Sequence, residues 1–140
     1  MSMTCPPDWQ DKSMLILSAP GPGASGVTAN MVVTQATPSA DLPTDPQARL
    51  NTMLDRQVAQ MAEQLAGFQE IERRVDAKGD HALAELRVDW HNAQARLTQK
   101  LTFVGDAQGG FIVATATTGQ GEFDAAEPLF RDMLKSFRID

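Results

Sequence analysis

The stretch Ala95–Val104, ARLTQKLTFV, alternates with a period of two. One side carries Leu97, Gln99, Leu101 and Phe103; the other carries Arg96, Thr98, Lys100 and Thr102. Successive side chains of a strand point to opposite faces, so this pattern predicts a strand with one face on a core. Gln99 interrupts the apolar side. It is either a satisfied core amide or part of a face whose partner needs both apolar contact and hydrogen bonds.

Working outward, the same period recurs on both sides. HALAELRVDW (81–90) places Ala82, Ala84, Leu86, Val88 and Trp90 on one side, and FQEIERRVDA (68–77) alternates again. FIVATATT (111–118) follows the GDAQGG turn. Turns this short join only antiparallel neighbours, so these runs predict a meander of up to four strands. Upstream, SMLIL (13–17) and the β-branched VTANMVVTQ (27–35) predict two more strands around a Pro/Gly/Ser turn.

Between them the period changes. Leu50, Met53, Leu54, Val58, Met61 and Leu65 follow 3/4 spacing, which predicts an amphipathic helix. Asp45 is placed to cap it, Pro46 suits its first position, and Gly67 suits its C-terminal turn. Ala126, Phe130, Met133, Leu134 and Phe137 predict a second helix over 124–137, with Pro128 in its first turn. The order β-β-α-β-β-β-β-α is an α+β fold: an antiparallel sheet of about six strands with two main helices, in a single domain over 1–140. Two helices need not cover both faces of such a sheet, and an uncovered apolar face is a binding or dimer surface.

Composition narrows the function. Net charge is −6 with pI near 4.8, and no basic stripe appears, which argues against a nucleic-acid surface. No apolar run approaches the ~18 residues of a membrane span, so direct membrane insertion is not expected. MSMTCPPDWQDK lacks the pattern of a secretory signal, and a lone cysteine, Cys5, suits a reducing, cytoplasmic compartment.

Chemistry-bearing patterns are sparse. GPGASG (21–26) matches G-x-G-x-x-G, but a strand follows it where the dinucleotide motif needs a helix, so it predicts a turn. His81 and His91, ten residues apart on one predicted strand, would stand roughly 33 Å apart and cannot share a metal. Glu70, Glu72, Arg74 and Asp76 are expected on one solvent face laced with ion pairs. No nucleophile elbow is present. The expectation is a protein that is not an enzyme and takes no metal or cofactor.

The ordered set DWQDKSMLIL, NMVVTQ, DRQVAQMAEQLAGF, Trp90, LTQKLTF, FIVATATT and PLFRDMLKSFRI resembles the DcrB-related family, and within it the Eag chaperones of type VI secretion. Gln35 stands where that family often has Arg, and Leu15 where a polar residue is frequent. The resemblance implies a curved, Mog1/PsbP-like sheet and a cytoplasmic homodimer. It implies that the chain binds and shields the N-terminal transmembrane helices of a PAAR-containing effector before loading onto the secretion spike. Such a face needs apolar contact with a few amides, because membrane helices carry small and polar residues as well as apolar ones. Met14, Ile16, Met31, Val33, Leu97 and Leu101 are the expected apolar contributors, with Gln57 and Gln99 as the amides that meet the client. Leu15, Leu17 and Val32 take the place of their neighbours if the strand parity is the reverse. The alternative is a Mog1-like interaction domain that contacts a folded partner.

Overall fold

In the computed structural model, described here for Pro7 and for residues 14–37, 40–77, 82–105 and 110–136, the alternating runs form a single six-stranded sheet. The elements are β1 (Met14–Ser18), β2 (Asn30–Ala36), α1 (Pro46–Gln64), β3 (Ala66–Asp76), β4 (Leu83–His91), β5 (Arg96–Gly105), β6 (Phe111–Gly119) and α2 (Phe123–Ser136). The spatial order is β1-β2-β6-β5-β4-β3, antiparallel throughout. α1 carries the chain from the N-terminal hairpin to the far edge, and the β3–β6 meander returns to pair β6 with β2. The result is the six-stranded antiparallel α+β sheet with two helices that the periodicities predict, curved as the resemblance implies.

α1 starts as its sequence dictates. Asp45 accepts a hydrogen bond from the Ala48 N–H at 2.9 Å, and Pro46 occupies the first turn, where its missing N–H costs nothing. Its apolar stripe, Leu50, Leu54 and Met61, packs on Ala84, Leu86, Val88, Leu101, Phe103 and Phe111. α2 covers the other side of the sheet: Phe123 and Phe130 pack on Met31, Val33, Ile112, Ala114 and Ala116. Central strands are therefore covered from both sides, which is why Thr98 and Thr102 of β5 are buried as well as Leu97, Leu101 and Phe103. Each fully buried leucine or valine contributes roughly 1.5–3 kcal/mol.

Several local expectations are corrected. Gly67 does not end α1; Leu65 does, its N–H bonding the Met61 carbonyl, and Gly67 is the second residue of β3. Its φ of 64° and the His91 ring, which a Cβ at this position would strike, account for glycine there. α2 begins at Phe123, so Pro128 lies beyond the first turn and withholds the N–H that would meet the Asp124 carbonyl. Irregular pairing between Glu70 and Glu72 separates the expected acidic row. Glu70 now faces α1 with Arg73, which bonds Asp55 at 2.6 Å, while Glu72, Arg74 and Asp76 fall on the α2 side. GPGASG is the β1–β2 turn, with Gly26 at φ 85° and the Ser25 N–H donating to Glu122 at 2.7 Å. His81, Phe137 and Cys5 lie outside the described residues; His91 is exposed at the end of β4.

A half-open sheet face as the candidate functional site

The strand registers decide which side chains share a face. Pairing Val88 with Gln99, Gln99 with Thr117, Thr117 with Asn30 and Asn30 with Ser18 carries one face across the sheet. Extending each strand by twos, the α1 side holds Met14 and Ile16 of β1, Val32 and Thr34 of β2, Val113, Thr115 and Thr117 of β6, and Leu97, Gln99 and Leu101 of β5. Met31 and Val33 fall on the opposite side and are 2% and 6% exposed beneath α2. They are core residues, and Val32 holds the β2 position on the α1 side. Leu97 and Leu101 share the α1 side but are buried; Leu101 packs beneath α1.

α1 lies chiefly over β3 and β4, its apolar stripe reaching Leu101 and Phe103 of β5 and Phe111 of β6, and it does not extend over β1 and β2. Among the described residues no helix lies over its β1–β2 margin. Met14 is 59% and Ile16 57% exposed there, while Val32, Thr34, Val113 and Thr115 are half-buried. Six strands at ~4.8 Å spacing make a face about 24 Å wide, and a helix with its side chains is about 10–12 Å across. The face has room for two helices side by side, and α1 is one of them.

Two amides sit along this face. Gln99 is half-buried. Its Oε1 accepts from Trp90 Nε1 at 2.8 Å and its Nε2 donates to Thr117 Oγ1 at 3.0 Å. Indole N–H only donates, which fixes the amide's orientation. Among the described residues one Gln99 N–H and one oxygen lone pair have no partner, so it is a satisfied sheet amide with spare capacity. Gln57 of α1 makes no side-chain hydrogen bond among the described residues. It lines a cavity of about 170 Å³ with Ala36, Met53, Phe103 and Phe111, at the boundary between α1 and the open strip. Phe103 is four residues along β5 from Gln99, so the two amides stand roughly 13 Å apart along the strands.

The α2 side carries a depression of about 340 Å³ lined by Glu72, Arg74, Glu85, Arg87, Lys100, Glu127 and Arg131. Its charges interlock. Lys100 meets Glu85 at 3.3 Å and Glu127 at 3.6 Å, Arg131 meets Glu127 at 2.8 Å, and Arg87 meets Asp124 at 2.9 Å. Arg87 also stacks 4.8 Å above the Phe123 ring, and its buried Nε has no acceptor among the described residues. Sequence reasoning did not single out this cluster, because its members come from four separate elements. Among the described residues no three His, Cys, Asp or Glu side chains converge as metal ligands, and no helix is long and apolar enough to cross a membrane.

Comparison with known proteins places this architecture. No curated protein matches the sequence significantly. Among solved structures, PA94 of Pseudomonas aeruginosa, a protein of unknown function, superposes with a TM-score of 0.76 at 22% identity, over 97% of this chain and 89% of that one. The cyanobacterial PsbP protein, CyanoP, of Synechocystis sp. PCC 6803 superposes with a TM-score of 0.57 at 11% identity, over 91% of this chain and 82% of that one. Both likenesses are of fold, and the second makes it PsbP-like. The DcrB family model matches residues 1–136, nearly the whole length over which the sheet and both helices are built, and the chain belongs to the DcrB family.

Proposed function

We propose that this DcrB-family chain is a chaperone of the Eag type. It binds the N-terminal transmembrane helices of a PAAR-containing type VI effector in the cytoplasm and shields them until the effector is loaded onto the spike. The observation that carries the reading is the half-open face: Met14 and Ile16 stand exposed on a strip one helix wide, beside α1 and next to two amides with unused hydrogen-bonding capacity. A client helix laid on this strip would complete the helix layer that α1 begins. Its apolar side chains would leave water at a gain of about 25 cal/mol per Å². Its small and polar residues would meet Gln57, Thr115 and Gln99, which stand in for neighbouring membrane helices. The role is one of binding, with no chemical step.

The test is co-expression of the chaperone with an effector's N-terminal membrane segments. The double variant Met14→Gln/Ile16→Gln should lose recovery of the soluble effector while melting like the wild type. Leu129→Gln, at an exposed position on α2, should retain it. Equal recovery by all three proteins would overturn the reading.

A further inference from the structure

α2 packs on β2 and β6, and its charged flank meets the side chains of β3, β4 and β5 in the depression of about 340 Å³. There the strand register sets two opposite-charge pairs side by side: Glu72 of β3 beside Arg87 of β4, and Arg74 of β3 beside Glu85 of β4. Such cross-strand pairs ordinarily stabilise an antiparallel sheet. Among the described residues neither forms. Arg87 meets Asp124 of α2 and stacks on Phe123, and Glu85 takes Lys100 of β5, which also meets Glu127 of α2. The β4 members are engaged elsewhere, and the β3 members are left over. Glu72 and Arg74 are exposed on an edge strand, and neither side chain has an ion-pair or hydrogen-bond partner among the described residues.

We propose that Glu72 and Arg74 are the anchors of a second docking site, which takes a polypeptide segment of a partner protein carrying one basic and one acidic side chain on the same face. Charge sets the choice of occupant. The remaining cations of the depression are paired, Lys100 between two glutamates, Arg131 on Glu127 and Arg87 on Asp124, so the site offers one free charge of each sign. A wholly acidic ligand is repelled by Glu72 and a wholly basic one by Arg74, whereas a mixed segment satisfies both. Distance adds a second constraint. Two residues along a strand set the anchors about 7 Å apart. Residues i and i+2 of an extended segment, or i and i+4 of a helix, present their charges at about that spacing. The site lies on the opposite side of the sheet from Met14, Ile16 and Gln99, so it stands apart from the client reading and can be filled at the same time.

Exposed ion pairs are individually weak, so a short peptide should bind with a dissociation constant of about a millimolar. The probes are acetylated, amidated peptides of the sequence Thr-X-Thr-Z-Thr, with X and Z as Lys and Glu in either order, both Lys, or both Glu. Each is titrated into the isotope-labelled full chain at about 20 mM salt, where surface charges are little screened. A mixed peptide should move the amide resonances of β3 and β4 around Glu72, Arg74, Glu85 and Arg87 and leave those of β1 in place. It should bind at least about fivefold more tightly than either like-charged peptide. Arg74→Glu, at an exposed position, should melt like the wild type and reverse the preference, binding the Lys/Lys peptide most tightly. Glu72→Gln should weaken the mixed peptide about fivefold. Equal binding of all the peptides, or an unchanged preference in Arg74→Glu, overturns the proposal. So do free lysine or inorganic phosphate that reproduce the shifts at the same concentration, and β3 resonances that move with the concentration of the chain alone, which would make the occupant a second copy.

Discussion

Replacing Gln99 with leucine keeps the side-chain volume and removes both amide hydrogen bonds. The Trp90 N–H then loses its acceptor and the Thr117 hydroxyl its donor. A neutral hydrogen bond contributes about 0.5–1.5 kcal/mol net, and a part-buried donor left unpaired costs up to the desolvation term. Two such bonds set the expected loss at about 1–3 kcal/mol. At roughly 4 °C per kcal/mol for a domain of this size, the melting temperature should fall by about 4–12 °C. Differential scanning calorimetry reads this directly. The cycle Gln99→Leu, Trp90→Phe and the double variant should give a coupling of about 0.5–1.5 kcal/mol. An unchanged melting temperature for Gln99→Leu, or a coupling near zero, would refute the argument that this amide is already structural before any client arrives. In that case Gln99 would be a free amide on the face.

Val33→Gln buries an amide in the apolar cluster beneath α2, with Phe123, Phe130 and Ala114, and should destabilise the fold by about 2–4 kcal/mol in urea titration. Leu86→Ala, beneath α1, should cost about 2–5 kcal/mol in the same assay. The Glu122 carboxyl is held below its ordinary value of 4.5 by hydrogen bonds from Ser25, its side chain first and then its backbone. A carboxylate depressed in the folded state stabilises above its unfolded pKa and loses that contribution as pH falls through the folded one. The Ser25 amide should therefore hold its chemical shift at neutral pH and move below about pH 4.5, and Glu122→Gln should abolish that titration.

Much of this fold is local information. The 3/4 spacing from Leu50 to Leu65 and the Asp45–Pro46 start need no distant partner, and α1 stands where they place it. β4 and β5 alternate cleanly because one side of each lies on α1. β2 is different. Met31, Val32 and Val33 are all apolar, so alternation carries no parity, and only pairing with β6, some eighty residues on, puts Met31 and Val33 beneath α2. The irregularity at Ile71 is similarly set by β4, and it divides a row of charges that looks continuous in the chain. Of the expected binding residues, Met14, Ile16, Gln57 and Gln99 border the open strip, Leu97 and Leu101 share its side of the sheet but are buried, and Met31 and Val33 lie beneath α2. The bonds from Gln99 to Trp90 and Thr117 join three strands, and no sequence period records them.

A membrane helix seated on the strip beside α1 would shield β1, β2 and one side of α1 from solvent. The measurement that bears on it most directly is hydrogen–deuterium exchange of the full chain with and without a solubilised transmembrane segment of an effector. Protection concentrated on β1, β2 and the Gln57 side of α1, and absent from β3, is the predicted result. Binding that protects the charged α2 side instead, or no protection at saturating peptide, would contradict it.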